Sequence, residues 1–197
     1  MIHILLILSS YLIGSIPFGY LVGKYLKGID IRKYGSGNIG VANAFRVMGK
    51  KYALLVLIGD CIKGYLAVML SKLFFAEMIW FFLLVGISAI IGHNWSVFLK
   101  FKGGKGIATT YGVVLAFYPL IAIISAIIWA LIVIATKFAA LGSIVSIFVM
   151  AALSFLFQTP FEFKIFVIII LLFAIIRHGS NINRLINKKE NKIIPDK

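Results

Sequence analysis

Residues 107–136 read IATTYGVVLAFYPLIAIISAIIWALIVIAT. Whether this stretch is one helix or two decides the fold. A helix crosses a bilayer core in about 20 apolar residues, so a single helix here would overshoot. Pro119 follows Tyr118 near the middle. Proline cannot continue a helix comfortably, and it biases the preceding residue away from helix. The reading is a short helix over 107–117, a turn at Tyr118–Pro119 and a second helix over 120–136. Further apolar runs cover 4–22, 52–75, 78–98, 138–157 and 163–176.

Charge supports the split. With seven spans, seventeen of the twenty Lys and Arg fall on one face, in the gaps 23–51 and 99–106, at Lys137, and in 177–197. The opposite face keeps only Lys72 and Lys164, while Lys63 lies inside a span. Fusing 107–136 into one helix would move Lys137 and the tail to the other side and erase the bias. Cytoplasmic loops carry the excess of Lys and Arg. The expected fold is therefore an all-α polytopic membrane protein of seven transmembrane helices, N-terminus outside and C-terminus cytoplasmic. The expected organisation is a single domain over 1–197, with a flexible cytoplasmic tail at 187–197.

Composition agrees. Of 197 residues 62% are hydrophobic and 13% charged, about half the charge of a soluble domain. The net charge of +14 would suggest nucleic acid in a soluble protein. Here the basic residues sit in short gaps between apolar runs, which is a pattern of topology and lipid surface. No nucleic-acid partner is expected. The N-terminus has neither a basic n-region nor a small-residue cleavage site, so it reads as a retained span. Cys61 is the single cysteine; it lies in an apolar run and reads as packing.

Four polar clusters open on the charged face. The first is Gly35-Ser36-Gly37-Asn38-Ile39-Gly40, followed by Asn43 and Arg46. It fits G-x-G-x-x-G, and Asp60 follows at the dinucleotide distance, but no strand or βαβ unit surrounds it. What remains is an anion loop: glycines that bring backbone amides close, donors on Ser36 and Asn38, and the planar fork of Arg46. The second cluster runs from Gly92-His93-Asn94-Trp95-Ser96 to Lys102-Gly103-Gly104-Lys105-Gly106. It is not a Walker loop, because Leu99 and Gly106 stand where glycine and Ser/Thr are required. A glycine run with a lysine at a helix start is still an anion cradle. The third is Thr136-Lys137 through Gly142-Ser143. The fourth is Arg177-His178-Gly179-Ser180-Asn181, ending at Arg184. There His178 and Asn181 read as sharing a helix face, and Arg177, Asn181 and Arg184 read as one polar stripe. His is the natural acid or base near neutral pH. Asp60 and Lys63 are three apart inside a span, a functional pair by default or a structural ion pair. His93 is placed to shape the second loop.

The runs GSGNIGVANAFR, GHNWSVFLKFKGGKGIAT, TKFAALGSI and RHGSNINRL resemble the signature regions of the PlsY family, the bacterial membrane acyl-phosphate:glycerol-3-phosphate acyltransferases. Order and spacing fit the whole chain. Departures are Val41-Ala42 where Ala-Thr is common, Ser96 where Pro often occurs, and 187–190 in place of a glycine-bearing ending. The resemblance implies seven spans and transfer of a fatty acyl group from acyl phosphate to the sn-1 hydroxyl of glycerol 3-phosphate. The products would be lysophosphatidic acid and phosphate, for phospholipid biosynthesis. It implies His178, Asn181 and Ser143 as catalytic residues. It implies Ser36, Gly37, Asn38, Arg46, Gly103, Gly104, Lys105, Gly106 and Arg184 as phosphate- and substrate-binding residues. No metal or cofactor is expected, and the setting is the bacterial inner membrane with the site facing the cytoplasm. No His-x4-Asp pair and no G-x-S-x-G elbow occurs, so direct attack without an acyl-enzyme is expected. The competing class is a transporter or flippase for a phosphorylated solute, which would line the bilayer midplane with more polar residues than Asp60, Lys63 and scattered Ser and Thr. A lipid-headgroup scaffold would explain the basic loops but not the glycine-rich and His-containing runs.

Overall fold

The computed structural model describes residues 1–75 and 78–193. Every regular element among them is helical, and the chain forms two compact units, Met1–Phe117 and Tyr118–Lys197.

The first unit contains α1 (Ile2–Ser15), α2 (Phe18–Lys27), α3 (Val41–Met48), α4 (Lys50–Lys72), α5 (Ile79–Asn94) and α6 (Ile107–Leu115). Single 3-10 turns lie at Ile31–Lys33 and Val97–Leu99. The run expected as one span over 4–22 is broken: α1 and α2 meet at 41°, with Pro17 at the junction as the first residue before α2. Proline removes the amide that an unbroken helix would need there.

Small residues let the helices approach, as they do in membranes, where hydrocarbon supplies no hydrophobic drive between helices. A side chain on Gly14 would strike the Ala89 carbonyl, and one on Gly92 the Tyr11 carbonyl. Along the same α1–α5 seam, the hydroxyls of Ser10, Ser88 and Ser96 donate to the carbonyls of Val85, Ile7 and Ser15 at 2.6, 2.8 and 2.6 Å. The α4–α6 seam repeats the device with Gly64 against Thr109 and Gly112 against Cys61. The Cys61 thiol donates to the Ala108 carbonyl at 3.1 Å, in keeping with a packing role.

The second unit contains α7 (Pro119–Thr136), α8 (Ala139–Leu156), α9 (Phe161–Arg177) and α10 (Gly179–Ile186). The split at Tyr118–Pro119 is present, with Pro119 as the first residue of α7. Ile123, Ile127, Leu131 and Ile134 form an exposed apolar stripe on α7, at the spacing of one helix face.

Among the described residues four helices are long and apolar enough to cross a membrane, or up to six if the bent pairs α1–α2 and α9–α10 each count as one. The short element is α6. At nine residues and about 1.5 Å per residue it spans roughly 14 Å, half of a ~30 Å hydrocarbon core.

Candidate active site

In the first loop a buried asparagine organises the backbone. Asn43, on the first turn of α3, is 2% exposed. Its Oδ1 accepts the Ser36 amide at 2.8 Å. Its Nδ2 donates to the carbonyls of Asn38, Tyr34 and Ile31 at 2.8, 3.1 and 3.3 Å. One side chain thus ties both ends of the glycine run to the helix that follows. Gly35 and Gly37 take φ of +60° and +71°, the region glycine enters without strain. A side chain on Gly35 would also collide with Asn43 Oδ1. Asn38 Oδ1 accepts the Gly40 amide at 2.8 Å, closing an Asx turn at the start of α3. Ile31 and Ile39 are buried beneath the loop against Val56 and Met48, which anchors it to α4. Ser36 is exposed and Arg46 half-buried on the last turn of α3. Sequence reasoning placed Asn43 in the cluster but gave it no role. Its central part depends on carbonyls up to twelve residues away, which no local pattern reveals.

At the edge of this loop Asp30 pairs with Arg32. Its carboxylate accepts from Arg32 Nη2 at 2.7 Å and Nε at 2.9 Å. Hydrogen bonding from the guanidinium pulls the Asp30 carboxyl down to about 2. The pair therefore stays ionised through any physiological pH.

The second loop folds back on the end of α5. The Gly103 amide donates to the Asn94 carbonyl at 3.2 Å and the Gly104 amide to the His93 carbonyl at 3.0 Å. These two amides, counted from sequence as anion donors, are engaged inside the protein. The glycines serve close approach instead. A side chain on Gly103 would strike the His93 carbonyl, and one on Gly104 the His93 ring at Nε2. Gly106 takes φ of +79° and precedes α6, whose N-terminus has no side-chain cap. The first amides of a helix have no partner within it, and the helix dipole places partial positive charge there. Lys105, half-buried, stands directly ahead of this terminus. Of the anion donors expected in this loop, Lys105 and the first amides of α6 are the candidates not engaged by these two carbonyls.

In the second unit the fourth cluster is bent. α9 ends at Arg177, and α10 leaves at 62° from the junction at His178. Arg177 is therefore not on one continuous stripe with Asn181 and Arg184, and His178 does not share a helix with Asn181. The bend brings another residue in. Asn181 Nδ2 donates to Glu190 Oε1 at 2.7 Å and Arg184 Nε to Glu190 Oε2 at 2.9 Å. The Glu190 side chain is 4% exposed. The stretch expected as a loose tail is tied down up to Ile193, whose amide donates to the Lys137 carbonyl at 2.8 Å; residues 194–197 lie outside the described residues.

His178 is buried, with Nδ1 2.8 Å from the Ala174 carbonyl. A carbonyl only accepts, so Nδ1 carries the proton and the lone pair of the neutral ring lies on Nε2. Ser143, expected among the catalytic residues, is placed differently. Its hydroxyl donates to the Ala139 carbonyl at 2.8 Å and accepts from Trp129 Nε1 at 3.2 Å. It braces α8 against α7.

Known proteins give the context. Residues 4–188 match a protein-family model described as glycerol-3-phosphate acyltransferase. The chain is 43% identical to a glycerol-3-phosphate acyltransferase of Bacillus subtilis, over 98% of both chains. It is 39% identical to one of Thermotoga petrophila, over 93% of both. It superposes on the crystal structure of PlsY, an integral membrane glycerol 3-phosphate acyltransferase, in its glycerol 3-phosphate form. The TM-score is 0.92 at 36% identity, covering 98% of this chain and 96% of that one. The lysophosphatidic acid form gives 0.90 at the same identity, covering 98% and 95%. With the apolar helices and polar loops already described, these matches make the chain a member of the PlsY family of integral membrane glycerol-3-phosphate acyltransferases.

Proposed function

We propose that the protein transfers a fatty acyl group from acyl phosphate to the sn-1 hydroxyl of glycerol 3-phosphate, releasing lysophosphatidic acid and phosphate. The observation that carries the site assignment is the second loop, with a lysine at an uncapped helix start held on a glycine backbone. That arrangement suits a phosphate dianion. Ser36, Asn38 and Arg46 supply the first loop's donors, and Arg184 adds a cation in the second unit.

Acyl phosphate is a mixed anhydride and arrives activated, so an acyl-enzyme would offer little. The glycerol 3-phosphate hydroxyl attacks the acyl carbon, the bond to the phosphate oxygen breaks, and phosphate leaves. Lys105 and Ser36 stabilise charge growing on the departing group. The hydroxyl proton goes to His178 Nε2, a role supported by the tautomer that the Ala174 carbonyl selects. Asn181, held by Glu190, orients the reacting groups. A second reading has specific support in the burial of the imidazole, 3% exposed: the substrate's own phosphate takes the proton. His178→Ala with full activity beside an inactive Asn181→Ala would favour that route. Ser143, hydrogen-bonded to the Ala139 carbonyl and to Trp129, is assigned a bracing role rather than a catalytic one.

The proposed topology is seven spans, with α6 as a short one, an outside N-terminus and a cytoplasmic C-terminus in the bacterial inner membrane. Its support is the one-sided distribution of Lys and Arg. The direct test of function mixes purified protein with acyl phosphate and glycerol 3-phosphate. Lysophosphatidic acid and phosphate should appear in equal amounts.

A further inference from the structure

Beneath the second loop lies a buried polar chain that the proposed mechanism leaves unused. Asp60, Lys63 and His93 are 1, 2 and 3% exposed. Lys63 Nζ lies 2.7 Å from Asp60 Oδ1, 2.7 Å from the Ile16 carbonyl and 2.9 Å from His93 Nδ1. Lys63 thus ion-pairs with Asp60 while donating to the Ile16 carbonyl, and an ammonium has donors but no acceptor. The contact with His93 then works only if Nδ1 accepts. The alternative, Nδ1–H toward Asp60 Oδ1, is longer at 3.4 Å. A neutral His93 whose Nδ1 accepts carries its proton on Nε2. That nitrogen lies against Gly104, where an added side chain would collide with it.

The pair is costly where it stands. An ion pair inside a span is rarely cheaper than two apolar side chains of the same size. Mutual neutralisation would need only Asp60 and Lys63, yet Lys63 also engages a helix end and an imidazole on α5. The loop meets the end of α5, the helix that carries this imidazole, through the His93 and Asn94 carbonyls.

We propose that Asp60 and Lys63 are positioning residues for the phosphate loop. They lock the tautomer and orientation of His93, which presents Nε2–H as a fixed donor under Gly104 and so holds Lys105 and the start of α6 ready for a phosphate. This rests on the reading that the second loop binds the phosphorylated substrate.

The test uses the full-length protein in nanodiscs. In Asp60→Leu/Lys63→Met the ion pair is replaced by apolar side chains of similar size, so folding should persist. The KM for glycerol 3-phosphate should rise about tenfold, the loss of roughly one hydrogen bond, while kcat changes much less. Imidazole 15N NMR, with the signal assigned by its loss in a His93 variant, should show the Nε2–H tautomer in the native protein and mixed tautomers in the double variant. His93→Gln, which can place an amide nitrogen near the Nε2 position, should retain a lower KM than His93→Asn, which mimics Nδ1 instead. This comparison stands even if the double variant unfolds. A folded double variant with native KM, equal KM for the Gln and Asn variants, or a native His93 protonated on Nδ1 would each overturn the proposal. Lys105→Ala separates the two readings: a native KM there would remove the phosphate-loop assignment, while the NMR result would still judge the tautomer lock.

Discussion

Asn43 Oδ1 accepts the backbone amide of Ser36 at 2.8 Å, so a residue on α3 fixes the loop that precedes it. Asn43→Ala removes four hydrogen bonds from that loop. Each buried polar group left unpaired costs about 1–3 kcal/mol. Turnover should fall at least about tenfold, with a lower melting temperature. Asn43→Asp should not rescue it, because a carboxylate would accept from Ser36 but face three carbonyls without a donor. Steady-state kinetics and thermal unfolding in detergent check both.

Lys105→Ala and Arg46→Ala should weaken affinity for a phosphorylated substrate, lower turnover, or both. Losing a charge-assisted contact costs about 1.5–3 kcal/mol, or roughly 10- to 150-fold. Both residues are half-buried at loop and helix edges, so the variants should stay folded. Near-native kinetics in both would return the basic loops to a lipid-anchoring role.

Two glycines near the proposed chemistry should behave oppositely. An added methyl on Gly104 collides with the His93 ring, whereas one on Gly179 meets nothing within 4 Å. Gly104→Ala should lose most activity. Gly179→Ala, at the first position of α10, should remain active and gain up to about 1 kcal/mol of stability from better helix propensity. Activity and melting temperature of the two variants decide it.

The topology is tested by single cysteines in a Cys61→Ala background. Lys33→Cys, Lys137→Cys and Lys189→Cys should resist a membrane-impermeant thiol reagent in intact cells, and Leu73→Cys and Phe161→Cys should react. Labelling at residue 137 or 189 would contradict the seven-span arrangement.

What the sequence made legible was local. Proline after Tyr118 announced the break before α7, and clustered Gly, Lys and Asn marked the polar loops. Pro17 carried the same signal for the α1–α2 bend, but a continuous apolar run over 4–22 masked it. The bend at His178 has no proline, and only the position of Glu190 explains why Asn181 and Arg184 converge. The amides of Gly103 and Gly104 looked available because the carbonyls that take them, on Asn94 and His93, belong to the far side of a loop. Asp60 and Lys63 were visible as a pair three residues apart. Their link to His93 spans thirty residues, and which helix faces which is set by packing that periodicity does not encode.

Direct acyl transfer between two bound substrates would leave no acyl group on the protein at any stage. The measurement is to incubate the protein with isotopically labelled acyl phosphate alone, quench, and analyse the denatured chain by mass spectrometry. No acylated residue should appear, and lysophosphatidic acid should form only when glycerol 3-phosphate is added. An acylated Ser, Cys or His that forms and decays as fast as turnover would contradict it.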